Sequence, residues 1–315
     1  MTLQGAVAVS VVIPAHNRRA LLREVLAAAG AQAGAPPFEI VVVDDGSTDG
    51  SSEGLEDLAL PVPLRVVRQP NRGPAAARNR GVAAARGALV AFLGDDTVPA
   101  PDWLAWHVEA HHARAAATPL AVIGRTEWHP RIRPTRFLAY INEQGLQFGY
   151  ALIDRPEQVP FNFFYTSNLS LTRSALLEEP FDETFPYAAW EDIEASYRLT
   201  RRGLRLVYEA RARVFHDHPT SFARFCSRQE RVGYSAVVFW RRHPELGPFL
   251  GLGPDGPPPL PPRGRQRRLE WLVQALQKLP VSLPTKWEEG LRYHYLRGLH
   301  RGWSELVASP ERSSS

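Results

Sequence analysis

Phe92-Leu93-Gly94-Asp95-Asp96-Thr97 closes an apolar run that begins at Ala88 and ends abruptly in two adjacent carboxylates. Continuous apolar residues over Ala88–Leu93 predict a strand buried on both faces. Carboxylates at the end of such a strand are costly to desolvate unless a positive group meets them. In an open parallel α/β sheet, that end is also where ligands bind. A divalent cation carrying a phosphate-bearing ligand satisfies both conditions. Asp-Asp-Thr ahead of Pro99 is equally good turn chemistry, so the choice rests on the flanking sequence.

Upstream, Val7–Pro14 is dense in β-branched residues and leads through Ala15 into His16-Asn17-Arg18. A helical pattern through Leu21, Leu22, Val25 and Leu26 follows. Phe38–Val43 is a second apolar strand running into Asp44-Asp45-Gly46-Ser47-Thr48-Asp49, and a polar helix with Leu55 and Leu58 on one face is expected after it. Leu64–Val67 is a third strand, and Pro74 is well placed to open an Ala-rich helix reaching Ala85. Apolar strands alternating with helices imply a mostly parallel, Rossmann-like α/β sheet flanked by helices, with the polar clusters gathered along one sheet edge. No G-x-G-x-x-G turn follows the first strand and no P-loop occurs, which argues against dinucleotide binding and P-loop chemistry.

The composition fits a globular chain that can bury a large core: 315 residues, 44% hydrophobic and 10% aromatic. The sequence pI is about 9.4. The net charge is only +4, with 37 basic residues almost balancing 33 acidic ones, so no nucleic-acid-binding tail is indicated. The single cysteine, Cys226, excludes an internal disulfide and fits a reducing, cytoplasmic compartment. No apolar run has membrane-spanning length, and Met1–Gly5 lacks the features of a signal peptide.

Asp102–Ala117 predicts a helix on which His107 and His111 share a face. Val108 occupies the place where a zincin needs Glu, so an exposed helix is the expectation. Leu120–Gly124 is a strand, and Arg125–Pro160 suits a variable, substrate-facing segment. Thr166–Leu171 alternates as a strand. Trp190-Glu191-Asp192 opens a helix with Asp192 in its first turn, where amide dipoles favour an ionised carboxylate, and Gly203 should end that helix. Leu204–Tyr208 and Ala212–Phe215 follow, leading into His216-Asp217-His218. Gly247–Arg268 is a Pro-rich, semi-rigid linker by composition. Helical patterns over Arg267–Leu279 and Thr285–Val307 close the chain, the second with Trp287, Leu291, Tyr295, Leu299 and Trp303 on one face. The expected division is 1–245 as one large domain, 246–266 as linker and 267–315 as a helical extension. Docking of that extension is the primary expectation, and peripheral contact with the inner face of a membrane is the other.

Taken in order, Ile13-Pro14-Ala15-His16-Asn17-Arg18, Val43 to Asp49, Gly73 to Gly81, Phe92 to Asp96, Asn168, Trp190-Glu191-Asp192 and His216 resemble the family 2 glycosyltransferases. Together the matches cover Val7–Arg242. The resemblance implies an A-type glycosyltransferase (GT-A) fold with a C-terminal helical appendage. It further implies a metal-dependent, inverting transfer of a sugar from a nucleotide diphosphate donor, UDP by default, to a glycan, lipid-linked or other acceptor hydroxyl. Polysaccharide, cell-wall or glycoconjugate assembly in a bacterial cell is the implied setting. By position, Pro14, Ala15, His16, Asn17, Asp45, Arg78 and Asp95 would bind the nucleotide. Asp96 and His216 would hold Mn2+ or Mg2+, with His218 as a competing ligand. Asp192 would be the catalytic base, Glu191 its neighbour in catalysis or acceptor binding, and Asn168 and Trp190 acceptor contacts. Gly94 stands where many relatives carry a carboxylate, which places more weight on His216. The alternative is a sugar-nucleotide or glycan-binding module that keeps the fold without turnover.

Overall fold

The computed structural model describes residues 7–114, 119–276 and 283–308. The expected reach of the His107 helix past Arg114, that of the penultimate helix past Leu276, and both chain ends lie outside them. Chain contacts group the protein into two units. The first holds residues 1–133, 145–183 and 192–218, the second residues 134–144, 184–191 and 219–315.

The first unit is built on one eight-stranded sheet. In chain order it contains β1 (Val9–Ala15), α1 (Arg19–Gly30), β2 (Phe38–Asp45), β3 (Leu64–Gln69), α2 (Pro74–Ala84), β4 (Leu89–Leu93), β5 (Thr97–Pro99), α3 (Trp103–Ala113) and β6 (Leu120–Trp128). The second unit contributes α4 (Arg136–Glu143). Then come β7 (Asn168–Thr172), α5 (Arg173–Glu178), α6 (Glu191–Arg201) and β8 (Arg205–His216). The sheet order is β3-β2-β1-β4-β7-β6-β8-β5. β3, β2, β1 and β4 are parallel, β7 runs antiparallel to both β4 and β6, β8 is parallel to β6, and β5 is antiparallel to β8. The mostly parallel sheet is thus present, with two reversed strands.

Val11, Val12, Ile13, Val41, Val42, Val43, Phe92 and Leu93 are fully buried, as expected of strands covered on both faces. The C-terminal ends of β1, β2, β4 and β8 share one edge, because Ala15 pairs with Asp44 and β6 and β8 run in the direction of β4. The helix expected around Leu55 and Leu58 does not form. Gly50 and Gly54 both take left-handed φ there, and the chain makes successive turns while still burying Leu55.

In the second unit, α7 (Phe222–Arg242), α8 (Arg263–Leu276) and α9 (Pro284–Trp303) join α4. Phe137 of α4 packs edge-on against Phe222, Phe225 and Trp287. The predicted stripe of α9 faces inward, with Trp287, Leu291 and Leu299 buried. α7 and α9 approach backbone to backbone. A Cβ at Gly298 would lie 2.0 Å from the Glu230 carbonyl oxygen, and one at Gly233 2.1 Å from that of Tyr295. The Pro- and Gly-rich stretch 246–266 lies inside this unit. Leu250 and Leu252 are buried, and Tyr295 and His300 hydrogen-bond the carbonyls of Leu250 and Pro258 at 2.8 and 2.7 Å.

Candidate active site

Asp95 and Asp96 extend from the end of β4, and side chains from β1 and β8 converge on them. The His16 amide donates to Asp95 Oδ2 at 3.1 Å. His216 Nε2 lies 3.5 Å from Asp96 Oδ1, and His218 Nδ1 lies 3.4 Å from Oδ2. The Asp217 amide donates to the Asp96 carbonyl at 2.8 Å, tying the two segments together by backbone. The Arg18 guanidinium lies 3.9 Å from Asp95 and 3.7 Å from Asp96, and its Nη2 is 2.6 Å from His218 Nδ1. Arg18 belongs to the quoted motif, yet the motif alone does not mark it as part of the site. The signal is its placement: a cation directly after the first strand reaches the carboxylates at the end of the fourth.

The two aspartates titrate apart. Burial, and then the neighbouring Asp96 charge, push Asp95 up toward neutrality. Burial acts on Asp96 in the same sense, but His216 and His218, with Arg18, hold it well below the usual carboxylate range. Asp96 therefore keeps its charge, while at Asp95 burial and the Asp96 charge outweigh Arg18. One ionised carboxylate with two imidazoles suits a hard or borderline divalent cation. Among the described residues no group of three or more His, Cys, Asp and Glu side chains forms a ready-made metal site. The donors fit such an ion by chemistry: Asp96 and His216 are the residues that would hold it, with His218 beside them. A side chain at Gly94 would require the Thr97 hydroxyl to move, since a Cβ there would lie 2.6 Å from Thr97 Oγ1.

Asp45 is buried at the end of β2. Its Oδ1 accepts from Gln69 Nε2 and the Arg72 amide, and its Oδ2 from the Gly73 amide, at 2.8 to 2.9 Å. Of about four acceptor positions on a carboxylate, three are thereby taken within the protein. His16 Nδ1 bonds the Asp45 carbonyl at 2.9 Å, linking β2 back to the Asp95 loop. Asn17, at φ 54°, accepts from the Thr48 amide at 2.8 Å, and its own amide donates to Ser47 Oγ at 3.0 Å. Pro14 and Ala15 are the last residues of β1. The Arg78 guanidinium lies 5.5 Å above the Phe181 ring.

One of the expected acceptor contacts is corrected by its surroundings. Asn168 is fully buried, and all four of its hydrogen-bonding positions are used inside the first unit, so it presents nothing to an acceptor. Trp190 donates its N–H to the Val232 carbonyl at 3.0 Å, and its half-buried ring packs against Phe239 and the exposed Phe249. Its φ of 73° is rare for a bulky residue and marks strain immediately before Glu191 and Asp192. Glu191 is buried. Asp192 stands in the first turn of α6 and accepts from the Ile193 amide at 2.9 Å. The exposed helix expected around His107 is also corrected, because His107 is fully buried. Burial pushes its pKa down to about 4, so the ring is neutral near pH 7.

The sheet and the loops at its edge have the A-type glycosyltransferase fold. The profile for "Glycosyl transferase family 2" matches residues 10–179, and the chain belongs to that family. The pre-mycofactocin glycosyltransferase of Mycobacterium tuberculosis is 30% identical over 243 residues, which cover 75% of this chain and 48% of that protein. The chain thus spans about half the length of that relative. Among solved structures, the mannosyltransferase PcManGT from Pyrobaculum calidifontis, in complex with GDP-Man and Mn2+, superposes with a TM-score of 0.58 at 19% identity, covering 94% of this chain and 87% of that one. Staphylococcus aureus TarS 1-349 in complex with UDP-GlcNAc gives 0.51 at 17% identity, with 93% and 91% covered. At these identities the two structures establish the fold.

Proposed function

We propose that the protein is a metal-dependent, inverting glycosyltransferase that moves a sugar from a nucleotide diphosphate donor to an acceptor hydroxyl in polysaccharide, glycolipid or glycoconjugate assembly. One observation carries the reading: Asp95, Asp96, the His16 amide, His216 and His218 converge at the shared edge of β1, β4 and β8. The neighbours' ligands, GDP-Man with Mn2+ and UDP-GlcNAc, support a sugar nucleotide with a divalent cation, Mn2+ or Mg2+. UDP is the default nucleotide. Loops held by Asn17, Asp45 and His16 shape the nucleotide side, Asp95 faces the ribose, and Arg18 brings positive charge to the diphosphate. Asp96 and His216 would hold the cation, which would supply Lewis-acid stabilisation to the leaving diphosphate.

Asp192 accepts the proton of the attacking hydroxyl as its oxygen bonds to the anomeric carbon. The bond from that carbon to the diphosphate breaks in the same step, its electron pair leaves with the nucleoside diphosphate, and the anomeric configuration inverts. The test is a panel of UDP-, GDP- and dTDP-sugars scored for nucleoside diphosphate release. Release with one donor in Mn2+, lost in EDTA, is expected. Binding without any release would establish the alternative, a sugar-nucleotide-binding module.

Charge separates the units. Among described residues the second unit holds 14 Arg and Lys against nine Asp and Glu, whereas the first holds 21 against 23. Arg263, Arg265, Arg267 and Arg268 are exposed on α8, and Trp271, one turn on, is 69% exposed. A basic run beside an exposed tryptophan suits peripheral contact with an anionic lipid surface. No helix among the described residues is long and apolar enough to cross a membrane. Cosedimentation with phosphatidylglycerol vesicles, absent with phosphatidylcholine and weakened several-fold by Trp271→Ala, is expected. Equal recovery from both lipids would refute the contact.

A further inference from the structure

The pairing of β6 with β8 runs from Leu120↔Arg205 to Gly124↔Glu209 and resumes at Arg125↔Arg213, ending at Trp128↔His216. Ala210, Arg211 and Ala212 are therefore looped out of β8 opposite a single step of β6. Side chains alternate along a strand, so an odd excess turns every later residue of β8 onto the opposite face. An unbroken ladder would set Arg213 beside Trp128. With the excess, His216 stands there, its ring 5.5 Å from that of Trp128 and 5.4 Å from that of Phe148. β5 pairs at the same step, Thr97↔His216, which brings Asp96 beside the imidazole. His216 Nδ1 is buried with no hydrogen-bond partner among the described residues. The aim of the ring thus comes from strand register and aromatic packing, not from a second hydrogen bond of the kind that usually orients a ligand histidine.

A bulge of this size takes residues out of the ladder, and Asn168 meets the chain where it is interrupted. Its Nδ2 donates to the carbonyl of Ala212 within the bulge at 2.9 Å and to that of Arg125, the first β6 residue after the shift, at 3.2 Å, bridging the two strands there. Its Oδ1 accepts from Trp103 Nε1 at 2.7 Å and lies 2.8 Å from His107 Nε2, anchoring the amide to α3. Gly124 makes the approach sterically feasible, since a Cβ there would fall 2.3 Å from the Ala212 carbonyl oxygen and 2.5 Å from Asn168 Nδ2. On the outer side, Arg211 pairs with Glu209 at 2.8 Å and covers the Trp106 ring at 3.9 Å.

We propose that Asn168 is a positioning residue: by clasping the Ala210–Ala212 bulge, it sets the register that aims His216 at Asp96. The consequence for catalysis rests on the reading of His216 as a cation ligand. Two variants of the full chain separate the clasp from general packing. Asn168→Asp keeps the acceptor facing Trp103 and His107 but loses the two hydrogens facing the carbonyls, and even a protonated carboxyl offers one where two are needed. Trp103→Phe removes a donor on the anchoring side and leaves the clasp intact.

Mn2+ affinity by calorimetry, nucleotide affinity in EDTA and melting temperature are measured for both. Asn168→Asp is expected to weaken Mn2+ by about tenfold or more, with nucleotide affinity in EDTA unchanged. Trp103→Phe is expected to lower the melting temperature as much while leaving Mn2+ affinity within about twofold. If Mn2+ affinity follows melting temperature through both variants, the positioning role is overturned. Crystal structures of the metal-free wild type and Asn168→Asp read the clasp independently of the cation. Loss of the Thr97↔His216 pairing and a longer His216–Asp96 separation support it, and an unchanged separation overturns it. Wild-type protein that binds no Mn2+ would refute the cation reading alone.

Discussion

Asp96→Asn is expected to lower kcat/KM by on the order of 10³-fold, matching the several kcal/mol that a Lewis acid contributes to a departing diphosphate. Asn is nearly isosteric but carries no charge, so the variant removes the one carboxylate that His216, His218 and Arg18 keep ionised. The fold should survive. Asp95 remains to pair with Arg18, and removing one of two adjacent buried like charges relieves the other. Relief of Asp95 offsets only part of the stability lost with a carboxylate whose ionisation the fold favours, so melting temperature at neutral pH is expected to fall modestly, and excess Mn2+ should restore little activity. Steady-state kinetics across a Mn2+ titration, beside a thermal melt, check both halves. Activity within about tenfold of wild type would remove Asp96 from the proposed cation site.

Asp192→Asn is expected to reduce kcat by roughly 10² to 10⁴-fold, the usual worth of a positioned general base. The effect should be confined to chemistry. An asparagine oxygen can still accept the Ile193 amide, so α6 keeps its first turn and the donor-side loops are untouched. Affinities for the nucleotide and for Mn2+ are expected to remain within about twofold of wild type, which makes the loss one of kcat and not of binding. Glu191→Gln supplies the contrast. Glu191 is buried, so its replacement should act through the packing around the start of α6 and change melting temperature before it changes the pH dependence of kcat. Full activity in Asp192→Asn would assign the proton to another group.

The strands carrying the site were legible because both their faces are buried. Val11 to Ile13, Ile40 to Val43 and Ala91 to Leu93 are apolar throughout, and composition alone reports that state. Strand direction was not legible. β7 alternates as an antiparallel strand can, but nothing in Asn168–Thr172 says that it enters the sheet between β4 and β6. β5 has three residues, too few for any period. Asp95, Asp96, His16 and His216 were found through ordered motifs and do converge. Asn168 was found the same way and then misread, because residue type does not reveal whether an amide faces a ligand or two backbone carbonyls. The Ala210–Ala212 bulge has no compositional mark. It split β8 into two apparent strands in the linear reading, although the chain runs through as one.

The crossing at Gly233 and Gly298 bears on how the helical unit moves. With main chains this close, neither helix can rotate or slide past the other without steric overlap, so the pair lacks the small adjustments by which packed helices usually relax. Fluctuations of α7 and α9 should therefore be all-or-none: local melting of either strips the other of its contact surface, and the two amide backbones open in a single event.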